Sequence, residues 1–338
     1  MNQFEVSLVI PTHNRWSKIQ TTLRSLYQQN LGGLNCEIVV VDDGSSPAVV
    51  LPQELTLPTR LIRLEGVGRS SARNTGAKEA KGKLLIFLDD DMQVCSDFLV
   101  AHYRAYQEWP DALLIGAIRL PLSGQSNPFL SFRQCLEDHQ VPQQRGIVLA
   151  RNFCTAANMA ISRERFLTLG GFDRAIHSSE DQDFALRHTA ERGRIAFIPE
   201  AKAIHCDDAL DIRSYCHRTE WGMREMILFC QRYPDWPDNV ERAQINGPVH
   251  LGCEPFSLSL RKMFKRVLGL APLTSLLFVG ASMVERIAPR SSLLARLYGL
   301  LLGIFLLRGY RSGLKQYGAS PGSSRNMGAR LRAERPSR

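Results

Sequence analysis

The feature that most constrains this chain is the stretch Leu84-Leu85-Ile86-Phe87-Leu88-Asp89-Asp90-Asp91, five apolar residues running directly into three acids. A short unbroken apolar run bounded by Gly82 and by charge reads as a β-strand covered on both faces, which puts it in the middle of a sheet. Three carboxylates at the tip of such a strand repel one another and raise one another's pKa. A hard divalent cation with oxygen ligands relieves that repulsion, and Mg2+ or Mn2+ keeps positions open for substrate phosphates. The strand therefore predicts a metal–diphosphate site at its carboxyl end.

The neighbouring chain supplies more strands of the same kind. Val6 to Ile10 reads as a strand stopped by Pro11, followed by a loop, with Asn14 expected as a helix N-cap. Trp16, Ile19, Leu23 and Leu26 recur at helical spacing. Glu37 to Val41 predicts a second buried strand, Asp42 to Ser46 its turn, and Arg60 to Leu64 a third strand. A helix over Ser70–Lys81 is entered from the Gly66-Val67-Gly68 turn. This repeated βα pattern predicts an open, mostly parallel α/β sheet flanked by helices. In such sheets the ligand lies beyond the carboxyl ends of the strands. Three polar clusters fall there, Thr12–Arg15, Asp42–Ser46 and Asp89–Asp91. The GVG at Gly66–Gly68 is not a dinucleotide fingerprint, because Ser71 stands where the third glycine belongs and the motif follows the third strand.

Charge and cysteine usage narrow the class. The 338 residues carry a formal net charge of +9. From Arg286 to Arg338 there are eleven Lys/Arg against one acid, Glu334, so the positive charge belongs to the C-terminal end. That argues against a nucleic-acid-binding body and for local contact with an anionic surface. The eight cysteines form no CxxC pair, which points to a reducing compartment and no structural zinc. Met1 to Glu5 lacks the basic start of a signal peptide.

Four motifs in order, VSLVIPTHNR, IVVVDDGSS, GRSSARNTGAKEAKG and LLIFLDDDM, resemble the nucleotide-sugar half of the family 2 inverting glycosyltransferases, which have the GT-A fold. The resemblance implies that Pro11, Thr12 and His13 border the base and ribose of a nucleotide sugar, most often UDP-linked. It implies that Asp43 accepts a hydrogen bond from the base and that Arg73 approaches the base or diphosphate. Asp89 and Asp91 match the two acids of the family's DxD motif, Asp91 as ligand of Mn2+ or Mg2+ and Asp89 orienting ribose or metal, with Asp90 the variable middle position. Residues 152–163 (NFCTAANMAISR), Gly170–Asp173 and the run from Ser179 resemble the acceptor half. There Glu180-Asp181 matches the ED motif, Asp181 as general base and Glu180 as a residue orienting the acceptor. His205 stands where some relatives place a further metal or diphosphate ligand, and Asn158 is expected to shape the acceptor pocket.

The resemblance divides the chain into a glycosyltransferase domain over 5–210, with a donor half at 5–118 and an acceptor half at 119–210. A helical region over 211–317 and a disordered basic tail over 318–338 follow. Two apolar stretches, Leu273–Val284 and Leu293–Leu307, are shorter than the roughly twenty residues that span a bilayer. With flanking arginines they predict interfacial or re-entrant elements on an anionic leaflet; a helical pair packed on the catalytic domain or in a dimer is the alternative. The expectation is a cytoplasmic enzyme, peripheral on the inner face of the cell membrane, acting on a glycan or lipid-linked acceptor. A sugar-phosphate nucleotidyltransferase and an inactive nucleotide-sugar-binding scaffold are the rivals. The first wants a Gly-rich basic loop where PTHNR stands, and the intact acids speak against the second.

Overall fold

The computed structural model describes residues 4–52, 56–121, 127–149, 153–207, 211–249 and 254–318. Asn152 of the acceptor-half motif, Cys253 and, from residue 319 on, the expected tail lie outside them. The chain divides into two compact units, one of residues 1–123, 136–175 and 180–208, the other of residues 124–135, 176–179 and 209–338. No disulfide joins the cysteines among the described residues.

The elements run β1 (Val6–Thr12), α1 (Trp16–Tyr27), β2 (Cys36–Asp42), β3 (Thr59–Arg63), α2 (Arg69–Glu79), β4 (Leu84–Leu88), β5 (Met92–Val94), α3 (Phe98–Glu108), β6 (Ala112–Arg119), α4 (Pro128–Asp138), β7 (Gly146–Val148), β8 (Asn158–Ser162), α5 (Arg163–Thr168), α6 (Glu180–Ala190) and β9 (Arg194–His205). Among the described residues nine strands form one sheet in the order β3-β2-β1-β4-β8-β6-β9-β5, with β7 also on β9. All five residues of β4 are fully buried. Leu84, Ile86 and Leu88 pack on one face with Ile19, Leu23 and Phe98. Leu85 and Phe87 pack on the other with Phe166, Phe172 and Phe184. At about 1.5–3 kcal/mol for each side chain removed from water, β4 contributes on the order of 10 kcal/mol.

The half β3-β2-β1-β4 is parallel, as the βα repeat predicts. The other half is mixed, because β8 enters antiparallel to both β4 and β6 while β9 runs parallel to β6. Leu88 pairs with Asn158, so β8 begins at the edge where β4 ends. β9 is longer than its apolar core at Ile195–Ile198 suggests. Its register on β6 shifts between Gly116 and Ala117, and the strand resumes beyond Pro199. Proline inside a strand is tolerated at such an irregularity. The continuation carries His205 to pair with Met92 of β5.

The second unit is helical: α7 (Ile212–Glu225), α8 (Ile227–Arg232), α9 (Pro237–Asn246), α10 (Phe256–Leu268), α11 (Ala271–Ile287) and α12 (Ser292–Tyr317). The helix expected from Asp211 onward breaks at Met226. The stretch Leu293–Leu307 lies in α12, whose length and apolarity would suit a membrane span. Its Leu294, Tyr298, Leu301, Ile304 and Phe305 are nonetheless buried, and the helix packs against α7. One side of α12 is thus covered within its own unit.

Candidate active site

Because β1, β2 and β4 are parallel neighbours, their carboxyl ends meet at one edge, and side chains tie the three loops together. Thr12 Oγ1 donates to Asp90 Oδ2 at 2.7 Å. His13 Nδ1 donates to the Asp43 carbonyl at 2.7 Å, and His13 Nε2 lies 2.8 Å from Asn14 Nδ2. Asn14 is not the helix cap. It sits in left-handed backbone, φ 55, and its Oδ1 accepts from Ser46 N, while Arg15 takes the N-cap position. Gly44, at φ 83, would bring a Cβ within 2.9 Å of Gly66 N, so the approach of these two turns requires glycine.

Asp43 accepts from Val67 N at 2.7 Å and Gly68 N at 2.9 Å, fastening the turn that starts α2. Each carboxylate oxygen keeps a further lone pair. Pro11 lies inside β1, paired with Val41.

The three acids after β4 have different surroundings. Asp89 is the most open, its side chain 26% exposed against 5% for Asp90 and 2% for Asp91. Asp90 is no spacer. It takes Thr12 Oγ1 and Arg15 Nη1, and its carbonyl accepts from Thr22 Oγ1. Burial pushes its carboxyl up to about 6, against the pull of Thr12 and Arg15. Asp91 Oδ2 takes Arg15 Nη2 at 2.8 Å. Its Oδ1 is buried and lacks a hydrogen-bond partner, although His205 Nε2 lies 3.3 Å away. Burial would raise the Asp91 carboxyl, but His205 and Arg15 hold it below the ordinary range.

Asp91, His205 and Asp207 can each turn a ligand atom to within 4.8 Å of the others. Two carboxylates and an imidazole, with one carboxylate oxygen buried and unsatisfied, form a donor set that fits Mn2+ or Mg2+.

Arg73 joins this cluster to the acids of α6. Only 2% exposed, it donates through Nη2 to Asp89 Oδ1 at 2.6 Å and through Nη1 to Glu180 Oε1 at 2.8 Å. Arg69 Nε also reaches Glu180, at 2.9 Å. Glu180 is thus enclosed by two guanidinium groups, Arg69 and Arg73. Asp181 beside it is partly exposed. Its Oδ2 accepts from Ala156 N at 3.2 Å, just before β8. Burial and the Glu180 charge push the Asp181 carboxyl up to about 6, opposed by Arg73, Arg69 and the Ala156 N–H.

The residues expected from sequence, Pro11, Thr12, His13, Asp43, Arg73, Asp89, Asp91, Glu180, Asp181 and His205, lie on the segments that converge at this edge. Asn158, expected to shape the acceptor pocket, opens β8. It is fully buried, donating to the Ala117 and Ala201 carbonyls and accepting from His102 Nε2 at 2.8 Å. Burial holds His102 down to about 4, hence neutral. Arg15, Arg69 and the structural role of Asp90 went unread because their partners are distant in sequence. Asp207 had a visible signal, an acid two residues past His205.

Residues 7–164 match the profile of Glycosyl transferase family 2. An uncharacterized glycosyltransferase of Haemophilus influenzae is 32% identical over 185 residues, 54% of this chain and 61% of that protein. A pre-mycofactocin glycosyltransferase of Mycobacterium tuberculosis is 24% identical over 237 residues, 68% of this chain and 48% of that protein. The matches therefore span less than two thirds of these relatives' lengths. The mannosyltransferase of Pyrobaculum calidifontis, solved with GDP-Man and Mn2+, superposes with a TM-score of 0.54 at 17% identity, covering 91% of this chain and 88% of that one. The open α/β sheet with flanking helices is the GT-A fold, and its residues 7–164 carry the match to Glycosyl transferase family 2.

Proposed function

We propose that this protein is a metal-dependent inverting glycosyltransferase, moving a hexosyl group from a nucleotide sugar, UDP-linked, to a hydroxyl of a glycan or lipid-linked acceptor. The observation that carries this reading is Arg73, whose buried guanidinium bridges Asp89, beside the metal-competent cluster, and Glu180, beside the basic Asp181. The Pyrobaculum calidifontis mannosyltransferase, complexed with GDP-Man and Mn2+, supports a nucleotide-sugar donor and a divalent cation.

In this reading Pro11, Thr12, His13 and Asp43 border the base and ribose, and Asp89 orients the donor. Asp91, His205 and Asp207 would hold Mn2+ or Mg2+, which when bound neutralises charge on the departing diphosphate. The Asp181 carboxylate takes the proton from the acceptor hydroxyl as that oxygen forms its bond to the anomeric carbon. The bond from that carbon to the diphosphate oxygen breaks with its electron pair, and one in-line displacement inverts the centre. A base titrating near 6 is charged at neutral pH and still strong enough to take the proton. Glu180 keeps Arg69 and Arg73 fixed, and those charges hold Asp181 from rising further. The basic C-terminal region supports a peripheral position on the cytoplasmic face of a membrane, an enzyme of cell-envelope polysaccharide synthesis.

Transfer and hydrolysis of UDP-sugars in the presence of Mn2+ test the reading. Asp181→Asn lowers kcat by about 10²–10⁴-fold with donor KM little changed. Asp91→Asn removes the response to Mn2+. Unchanged rates in both proteins would remove the mechanism.

A further inference from the structure

We propose that α10 and α11 form the face by which this chain docks on an anionic lipid bilayer; this deepens, and rests on, the membrane-surface reading above. α10 has its polarity reversed relative to an ordinary surface helix. Its Ser259, Lys262 and Lys265 are buried, Lys262 Nζ donating to Glu254 Oε2 at 2.5 Å and to the Pro248 carbonyl at 3.1 Å. Its Phe256, Leu260, Met263, Phe264 and Val267, spaced along one stripe, are each at least half exposed. α11 continues the pattern with Leu276, Val279, Met283 and Ile287, the last 84% exposed.

Large apolar side chains left exposed in this number on two successive helices mark an interaction surface. The charges beside it select the partner. Across residues 255–291 the exposed charged residues are Arg261, Arg286 and Arg290, and no acid there is exposed. Two copies meeting through this face would crowd three exposed arginines against one half-buried acid, Glu285, whereas anionic headgroups pair each one. The chain's own residues 319–338 are unsuited to cover the face, since Met327 and Leu331 are their only large apolar residues and five arginines stand against Glu334. The lengths of α10 and α11, 13 and 17 residues with a 91° bend between them, suit elements lying in the headgroup region.

The experiment is co-sedimentation of the full chain with vesicles of phosphatidylcholine mixed with phosphatidylglycerol, against pure phosphatidylcholine. The wild type is expected to bind the anionic vesicles. The variant Leu260→Ser/Phe264→Ser/Ile287→Ser is expected to bind at least about a hundredfold more weakly, from roughly a tenfold loss per large apolar side chain. All three side chains are exposed, so its melting temperature and donor hydrolysis stay at wild-type level. A second variant, Arg261→Gln/Arg286→Gln/Arg290→Gln, keeps the apolar stripe and loses the preference for phosphatidylglycerol. If the wild type binds and either variant binds exactly as it does, the face is wrong while the membrane reading stands. If the wild type binds neither vesicle, both fail. A wild-type dimer in solution that the serine variant dissociates assigns the face to self-association and also overturns the proposal.

Discussion

Asp181 works against the stability of the fold that holds it. Its carboxyl is raised to about 6 from an ordinary 3.8, first by burial and then by the Glu180 charge. Below pH 3.8 folded and unfolded chains both carry the proton. As pH rises from there to about 6 the unfolded chain releases it first, so stability falls through that window and the full cost remains at neutral pH. Asp181→Asn is therefore expected to be more stable than wild type at pH 7 by on the order of 1–2 kcal/mol, with the gain vanishing near pH 4; urea unfolding at both values reads this. As the proposed base, the same carboxyl sets the acid limb of the rate profile near pH 6, and the asparagine variant's residual rate lacks that limb. That Asp89, Asp91 and Asp181 stand at the ends of a strand and a helix was legible from the motif order. Arg15 was not, since its partners Asp90 and Asp91 lie 75 and 76 positions away.

At the scale of elements, α2 shows how packing places charge. It presents Ser71, Ala72, Gly76 and Ala77 inward, and a Cβ on Gly76 would collide with a Val9 methyl. That close seat on β1 and β2 lets Arg73, three residues earlier, lie buried between Asp89 and Glu180. Gly76→Ala is expected to cost about 1–3 kcal/mol through overpacking and to raise donor KM by shifting Arg73, which urea unfolding and steady-state kinetics measure together. The strands β1, β2 and β4 could be read from their unbroken apolar runs. β8 could not be oriented, because nothing local distinguishes a strand that enters antiparallel. β9 looked finished at Pro199, and only its register shift on β6 carries it on to His205. The apolar run in α12 resembled the stretches expected at a membrane, yet burial against α7 follows from helix-to-helix packing, which periodicity alone does not report.

Over the whole molecule, charge and apolar surface divide by region. The acids of the proposed reaction belong to the unit holding the sheet, whereas the basic excess after Arg286 belongs to the helical unit. That asymmetry was legible in the sequence. Which apolar stretch stays open was not, because α10 and α12 differ in what covers them and hardly in composition. The proposed reaction depends on the cation site of Asp91, beyond the end of β4, with His205 and Asp207. The most direct measurement is electron paramagnetic resonance of free Mn2+ during titration into the full chain, with and without UDP, for wild type and Asp91→Asn. One Mn2+ is expected to bind per wild-type chain, more tightly with UDP, with affinity reduced at least about a hundredfold in Asp91→Asn. Equal binding by the two proteins would contradict this assignment.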